Sequence, residues 1–425
     1  MRTLRFSDRG PAVALLQLAL TRADFGPLET DGIFGLRTQE ALRRFQLAHG
    51  LAADGVAGRA THAALLPWYT GSLRHRVRAG ESFYSIARLY GAKPEAVELA
   101  NSLFEPGALS VGAAVTVPLP FAVVPVTIPW CSALAAFCAR GLCARYPFLG
   151  CAPVGRSVLG RPLWSLSLGA GDNRVLYNAA HHANEWITAP LLFSFAEELC
   201  QSYASGGMIF GQSAAELLDY ARLCLVPLAD PDGMDLVTGE LRRGEAFERA
   251  RAIAAQYPGV PFPEGWKANI RGTDLNLQYP AGWETAREIK AAAGVRGPAP
   301  LNYVGPAPLS APESRALAAL TRRFDPALTL SLHTQGEVIY WRYGDYEIPG
   351  ARDIAATFSA VSGYSAEETP YSSSFAGYRD WFIQSYRRPG FTIECGKGIN
   401  PLPLADFPEI RRRTLGILTL GALVS

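Results

Sequence analysis

Lysine is almost missing from this chain: residues 93, 267, 290 and 397 are the only ones in 425, and arginine supplies nearly all of the positive charge. We read that as a compositional bias rather than a recognition device. Forty basic against 38 acidic side chains leave a formal net charge of +2, which is no electrostatic footprint for nucleic acid or an anionic membrane. The seven cysteines are odd in number, lack any C-x-x-C spacing and sit mostly in apolar runs such as Leu223-Cys224-Leu225. They read as buried thiols, not as a disulfide framework. Residues 1–20 have no basic stretch followed by a continuous apolar one, so no export signal is readable. The longest apolar stretch, 113–130, is broken by Pro118, Pro120, Pro125 and Pro129. A membrane-spanning helix does not tolerate that, and the stretch reads as a strand end followed by a stiff linker.

What is present divides the chain into pieces. A composition of 49% hydrophobic and 18% charged residues is ordinary for a soluble protein, and the length exceeds that of one typical domain. Thr30-Asp31-Gly32-Ile33-Phe34-Gly35-Leu36-Arg37-Thr38 is echoed by Ala53-Asp54-Gly55-Val56-Ala57-Gly58-Arg59-Ala60-Thr61. In each copy Asp-Gly predicts a tight turn and the second glycine its exit, with Thr38 or Thr61 capping the helix that follows. Together with an amphipathic helix over Val13 to Leu20, this predicts a three-helix unit. With its Phe45-Gln46 and Gly50-Leu51, the segment from about 5 to 67 resembles the peptidoglycan-binding domain of wall hydrolases. A second module opens at His75-Arg76-Val77, continues with Phe83, Ile86, Ala87 and Tyr90 at helical spacing, and closes with Val115-Thr116-Val117-Pro118. Strand, helix, helix, strand is the expected order, and residues 74–120 resemble a LysM domain, a module that binds N-acetylglucosamine chains. The expected domains are therefore 1–70, 74–120, a Pro-rich linker at 121–129, and 130–425.

In the last and largest piece short apolar runs alternate with helical patterns: Leu163 to Leu168, Val175 to Ala179, a helix near Ala189 to Tyr203, Leu223 to Leu228, a helix near Glu313 to Phe324, Leu328 to Leu332, and Phe391 to Glu394. That alternation predicts an α/β fold with a mostly parallel sheet covered on both faces, whose sites gather beyond the carboxyl ends of the strands. Three of the runs end in residues that bind metals or move protons: Val175 to Ala180 leads to His181-His182-Ala183-Asn184-Glu185, Leu328 to Leu332 to His333, and Phe391 to Ile393 to Glu394. Two imidazoles and a carboxylate with one open position are what catalytic zinc requires, because the open position holds the water whose pKa falls to about 7. Of six histidines, only 181, 182 and 333 lie in this piece, and the spacing to Glu185 selects His182 over His181.

The ordered set resembles the zinc carboxypeptidase family over residues 130 to about 400, whose fold is a mixed sheet covered by helices. His182-Ala183-Asn184-Glu185-Trp186 stands where that family has its first two zinc ligands, and Ser331-Leu332-His333 where it has the third. Ala229-Asp230-Pro231-Asp232-Gly233, Trp266 to Asn276, and Thr392-Ile393-Glu394 follow the family's remaining motifs. The resemblance implies one zinc ion on His182, Glu185 and His333, with Glu394 as general base. It implies Arg271 at the developing oxyanion, Asp274 behind the ring of His182, and Asn276 on a substrate carboxylate or amide. A tyrosine that closes over substrate is expected near Asp380-Trp381; Tyr371 and Tyr378 both qualify, and the spacing favours Tyr371.

Two positions depart from the carboxypeptidase pattern. Leu277 occupies the place of the arginine that clamps a free C-terminal carboxylate, and Asn184 that of an arginine in the ligand motif. Trp266 to Glu284, with His333 to Trp341, instead resembles the branch that hydrolyses the γ-D-glutamyl to meso-diaminopimelate bond of peptidoglycan stems. Arg379 or Lys397 is then expected to pair a substrate carboxylate. The partner is peptidoglycan, held as glycan by the two small modules and as stem peptide at the zinc. Two rivals stand beside this: a carboxypeptidase trimming free peptides, and an inert wall-binding protein.

Overall fold

The computed structural model describes residues 1–102, 104 and 109–424, and the chain divides into two compact units, 1–151 and 152–425. In the first unit, helices Pro11–Arg22, Leu36–Ala48 and Arg59–Ala64 form the expected three-helix start. The two sequence repeats are held by one device used twice. Gln17 Nε2 lies 2.8 Å from Asp31 Oδ1, 3.0 Å from the Ile33 carbonyl and 3.1 Å from Thr38 Oγ1, while Gly32 N–H donates to Gln17 Oε1 at 2.9 Å. Gln46 does the same with Asp54 (2.9 Å), Val56 (3.0 Å), Thr61 (3.1 Å) and Gly55 (2.9 Å). The threonines therefore do not cap their helices as the sequence suggested. Gly35 and Gly58 stand at the N-cap positions without side-chain caps, and both threonine hydroxyls are turned inward as acceptors for the glutamine amides.

Strands Ser72–Arg76 and Ala114–Pro118 pair antiparallel around helices Phe83–Leu89 and Pro94–Ala100. Residues 103 and 105–108 of this expected module lie outside the described residues. Val77, Ile86, Ala87, Val97, Val115 and Val117 form its core. Ser82 and Ser85 make a reciprocal capping box at the start of the first helix. Asn101 donates to the Val97 and Thr116 carbonyls, both at 2.7 Å, and accepts from Thr116 N–H at 2.8 Å, which ties the second helix to the closing strand.

The second unit is built on a sheet whose strands we number β1 Gly150–Arg156, β2 Pro162–Leu168, β3 Asn173–Ala179, β4 Ala221–Val226, β5 Leu328–His333, β6 Val338–Tyr340, β7 Ser365–Glu367 and β8 Gly390–Glu394. Their order is β7-β6-β8-β5-β3-β4-β2-β1. The centre, β8-β5-β3-β4, is parallel; β2 runs antiparallel to β4, and β6 antiparallel to β8. The sheet is thus mixed, because the strands flanking the parallel centre are reached by short returns rather than helical crossovers. Of the central strands β5 is buried throughout and β3, β4 and β8 are buried over most of their length, so they read as apolar runs, whereas β1 and β7 alternate weakly or not at all with their exposure and left no periodic signal. One face carries Leu176, Cys224 and Val226 against Leu317, Tyr279, Tyr378 and Trp381. On the other, Tyr177 donates to the Leu418 carbonyl at 3.0 Å. Among the described residues no helix is long and apolar enough to cross a membrane.

The glutamine clasps give a direct expectation. Gln17→Ala and Gln46→Ala each remove the glutamine partner of a buried threonine hydroxyl and a buried glycine N–H, a loss of about 2 kcal/mol each. Hydrogen exchange should show the Gly32 amide exposed in the first variant and the Gly55 amide in the second; unchanged protection at both would refute the assignment.

Candidate active site

Three adjacent parallel strands deliver the functional side chains to one edge. In register, Glu394 at the end of β8 lies opposite His333 at the end of β5, and Leu332 lies opposite Ala179 of β3. After β3 the chain turns at Ala180, whose φ is +51°. Ala180 N–H donates to Thr188 Oγ1 at 3.0 Å, and that hydroxyl donates to the Glu185 carbonyl at 2.8 Å. The turn is thereby closed, and His182 leads into the short 3-10 turn Ala183–Glu185. Ala183 N–H donates to the Lys267 carbonyl at 3.1 Å, joining this loop to the segment before Asp274.

His182, Glu185 and His333 are buried, and one ligand atom from each lies within 4.8 Å of the others. His182 Nδ1 is 2.9 Å from Glu185 Oε1, His333 Nδ1 is 2.9 Å from Glu185 Oε2, and the two Nδ1 atoms are 3.1 Å apart. Asp274 Oδ1 lies 3.1 Å from His182 Nε2, so a neutral His182 that donates there turns its Nδ1 lone pair toward the carboxylate and the other ring. Acceptors converging on one point call for a cation: a proton satisfies one pair, a metal ion satisfies all of them. Ligands about 2.1 Å from a tetrahedral zinc lie about 3.4 Å from one another, close to the spacing found. The residues present therefore fit a zinc ion. His181 stands outside this cluster, with Nε2 3.1 Å from Tyr279 Oη.

Charges at the site are strongly coupled. Burial raises the Glu394 carboxyl, and the Glu185 carboxylate adds to it, so that it reaches about 7 despite the opposing Lys267, His182 and Arg379. Burial also works against Asp274, yet His182 and Lys267 hold it at about 2. Glu185 is likewise penalised by burial and nevertheless kept well below the usual carboxylate range by His182, Lys267 and His333. Desolvation lowers His333.

Lys267 is the residue the sequence reading missed. Its Nζ is 3.0 Å from Glu185 Oε1. Partial burial would lower its pKa, but Glu185, Asp274 and Glu394 outweigh that and raise it. Arg271, expected at the developing oxyanion, is exposed, and its described hydrogen bond is made by its backbone N–H to Asn269 Oδ1 at 3.0 Å. The cause is a turn built on Asn269, whose Oδ1 also accepts from Thr273 N–H at 3.1 Å while its Nδ2 donates to Glu313 Oε2 at 3.2 Å. That turn carries residue 271 outward and leaves 267 and 274 facing the triad. The available signal was the scarcity of lysine itself.

The remaining expected residues separate clearly. Asn276 Oδ1 accepts from Tyr378 N–H at 2.9 Å. Leu277 packs against the apolar group of Trp283, Ala286, Val304 and Ala376. Tyr378 is buried with its hydroxyl 2.8 Å from Thr321 Oγ1, whereas Tyr371 is 71% exposed and edge-on to Phe375. Arg379 is buried, pairs through Nε and Nη2 with Asp380 and lies over the Tyr340 ring. Lys397 is 70% exposed and pairs with Glu337 at 2.9 Å, a carboxylate it shares with Arg413. Arg379 acts on Glu394 electrostatically, and Lys397 is not among the main influences on it.

Comparison with known proteins agrees with this geometry. The zinc carboxypeptidase family model matches residues 138–414, and the peptidoglycan binding domain model residues 9–65. Gamma-D-glutamyl-L-diamino acid endopeptidase 1 of Lysinibacillus sphaericus is 43% identical over 276 residues, 65% of this chain and 68% of that protein. The uncharacterized protein YqgT of Bacillus subtilis (strain 168) is 41% identical over 276 residues, 64% of this chain and 72% of its own length. Among solved structures, bovine thrombin-activatable fibrinolysis inhibitor in complex with tick carboxypeptidase inhibitor aligns with a TM-score of 0.52 at 18% identity, covering 69% of this chain and 96% of that one, a likeness of fold. The chain belongs to the zinc carboxypeptidase family, and it carries a peptidoglycan-binding domain ahead of the peptidase.

Proposed function

We propose that this enzyme hydrolyses the γ-D-glutamyl to meso-diaminopimelate bond of peptidoglycan stem peptides, with zinc on His182, Glu185 and His333. The observation that carries the reading is the pairing of a complete cation-seeking triad, flanked by Glu394 and Lys267, with an apolar Leu277 beside Asn276. A leucine offers no hydrogen bond to a free C-terminal carboxylate, so the site favours cleavage within a chain. The identity to a protein named a gamma-D-glutamyl-L-diamino acid endopeptidase supports it, as does the peptidoglycan-binding domain. Residues 74–120 fit a LysM module for N-acetylglucosamine chains, supported by their strand, helix, helix, strand order.

Held by His182, Glu185 and His333, a zinc ion would supply Lewis acidity toward a water and the scissile carbonyl. Glu394 takes the proton of the attacking water and returns it to the leaving amine. Lys267, rather than Arg271, stands where it can offset negative charge on the carbonyl oxygen. Asp274 fixes the tautomer and plane of the His182 ring. Asn276, its Oδ1 committed to Tyr378, presents Nδ2 to the substrate. Arg379 keeps Nη1 for a diaminopimelate carboxylate, a role Lys397 gives up to Glu337. We assign the closing role over the substrate to Tyr371, whose exposure leaves its ring free of the core in which Tyr378 is buried.

Purified muropeptides should be cut between γ-D-glutamate and diaminopimelate, with chelator stopping the reaction and amidation of the diaminopimelate carboxylate slowing it. Mass spectra showing only loss of a terminal residue would sink the proposal. Lys267→Met should lower kcat by about 10²–10³ with little change in KM, and Arg271→Ala should leave it near the wild-type value; the reverse pattern would restore Arg271. Glu394 works as a base only when ionised, and its carboxyl is raised to about 7. Activity should therefore rise with pH and fall away on the acid side at or below about pH 7, since a bound cation draws the midpoint down. Glu394→Gln should cost about 10²–10⁴ in kcat while still binding zinc, and wild-type turnover in that variant would exclude Glu394 as the base.

A further inference from the structure

The two rings that face the metal position each have a second nitrogen, and these are served differently. His182 Nε2 lies 3.1 Å from Asp274 Oδ1, while His333 Nε2 is buried with no hydrogen-bond partner from the protein. An imidazole that holds a metal through one nitrogen carries its proton on the other and almost always donates it to a carboxylate, a carbonyl or a water.

The sheet shows what lies around that nitrogen. Side chains alternate along β5, which puts Thr329, Ser331 and His333 on one face. Asn178 of β3 is opposite Ser331 in the parallel register and shares that face. Asn178, Thr329 and Ser331 are all at most 1% exposed. Both amide atoms of Asn178, Ser331 Oγ, Thr329 Oγ1 and His181 Nδ1 are, like His333 Nε2, without a partner, and these six are most of the eleven such side-chain atoms among the described residues. The His181 ring is stacked on His333, with centroids 5.7 Å apart and planes at 16°, and the rings of Tyr279 and Tyr378 stand against His181. Buried polar atoms in folded proteins are nearly all paired, so orphans gathered on one face point to a ligand that hydrogen-bonds in both senses.

We propose that this face of β3 and β5 is a binding site for ordered internal water, bridging His333 Nε2 to Ser331 and Asn178. A buried water takes two to four polar partners. The imidazole N–H donates to it, the Asn178 amide offers donors and an acceptor, and the Ser331 and Thr329 hydroxyls do either, so no like group need face like. Asn178 and Ser331 are then positioning residues for the third metal ligand. Through water they do for His333 what Asp274 does directly for His182. The inference rests on the reading that His333 holds zinc.

The test uses the full chain. Asn178→Leu and Ser331→Ala should each weaken zinc binding, measured by competition with a chelator, by about tenfold to a hundredfold, while the melting temperature of the zinc-free protein moves little. A zinc-loaded crystal structure of the unaltered chain, at a resolution that shows waters, should place one within hydrogen-bond distance of His333 Nε2. Zinc affinity within twofold of the wild type in both variants overturns the proposal, as does a crystal structure with no water there. That second measurement stands even where a variant fails to fold. A wild-type chain that holds no zinc on His182, Glu185 and His333 fails the site reading itself and takes this inference with it.

Discussion

A carboxylate that is 1% exposed must be surrounded by positive charge and hydrogen-bond donors, and Glu185 imposes that requirement on everything near it. Lys267 meets it through its ammonium and Thr334 through its backbone N–H at 3.2 Å, and a cation shared with the Nδ1 atoms of His182 and His333 would meet the rest. His182, Thr334 and Lys267 are in turn tied to other residues. Asp274 holds His182. Asn400 holds Thr334 by a pair of reciprocal bonds, accepting from its hydroxyl at 2.7 Å and donating to its carbonyl at 3.0 Å. The backbone of Lys267 receives Ala183 N–H from the ligand loop itself. The site is a closed set of dependencies around one buried charge.

That closure explains which parts were legible in the sequence. His182, Glu185, His333 and Glu394 terminate apolar runs that become adjacent strands, so their order along the chain already describes an edge in space. The choice of His182 over His181 follows from a three-residue spacing, and the His181 ring lies instead with Nε2 beside Tyr279 Oη. The clustering of the first three is a matter of geometry, and their catalytic roles remain the proposal made above. Lys267 left no comparable mark, because its neighbours Glu185 and Glu394 are 82 and 127 residues away in sequence. Arg271 looked equivalent until the turn on Asn269 showed which way each residue faces.

The fold was legible to a similar depth. Central strands are largely buried on both faces and announce themselves as apolar runs; the edge strands β1 and β7, and the three-residue β6 beside β7, are short or exposed and do not. The capping role expected of Thr38 and Thr61 failed for a different reason. A threonine near a helix start can satisfy backbone donors or serve a distant amide, and only the position of Gln17 and Gln46 decides between them.

Those two glutamines are staggered with respect to the repeat they hold. Gln17 lies in the helix ahead of the first copy and clasps that copy's turn, whereas Gln46 lies in the helix of the first copy and clasps the turn of the second. Each helix locks the turn that follows it, so the copies are links in a chain rather than separate beads. Removing a turn without the helix ahead of it would leave a glutamine with nothing to clasp, while a further helix and turn could be added at the end. Such a domain can be lengthened by duplication, but it is hard to shorten.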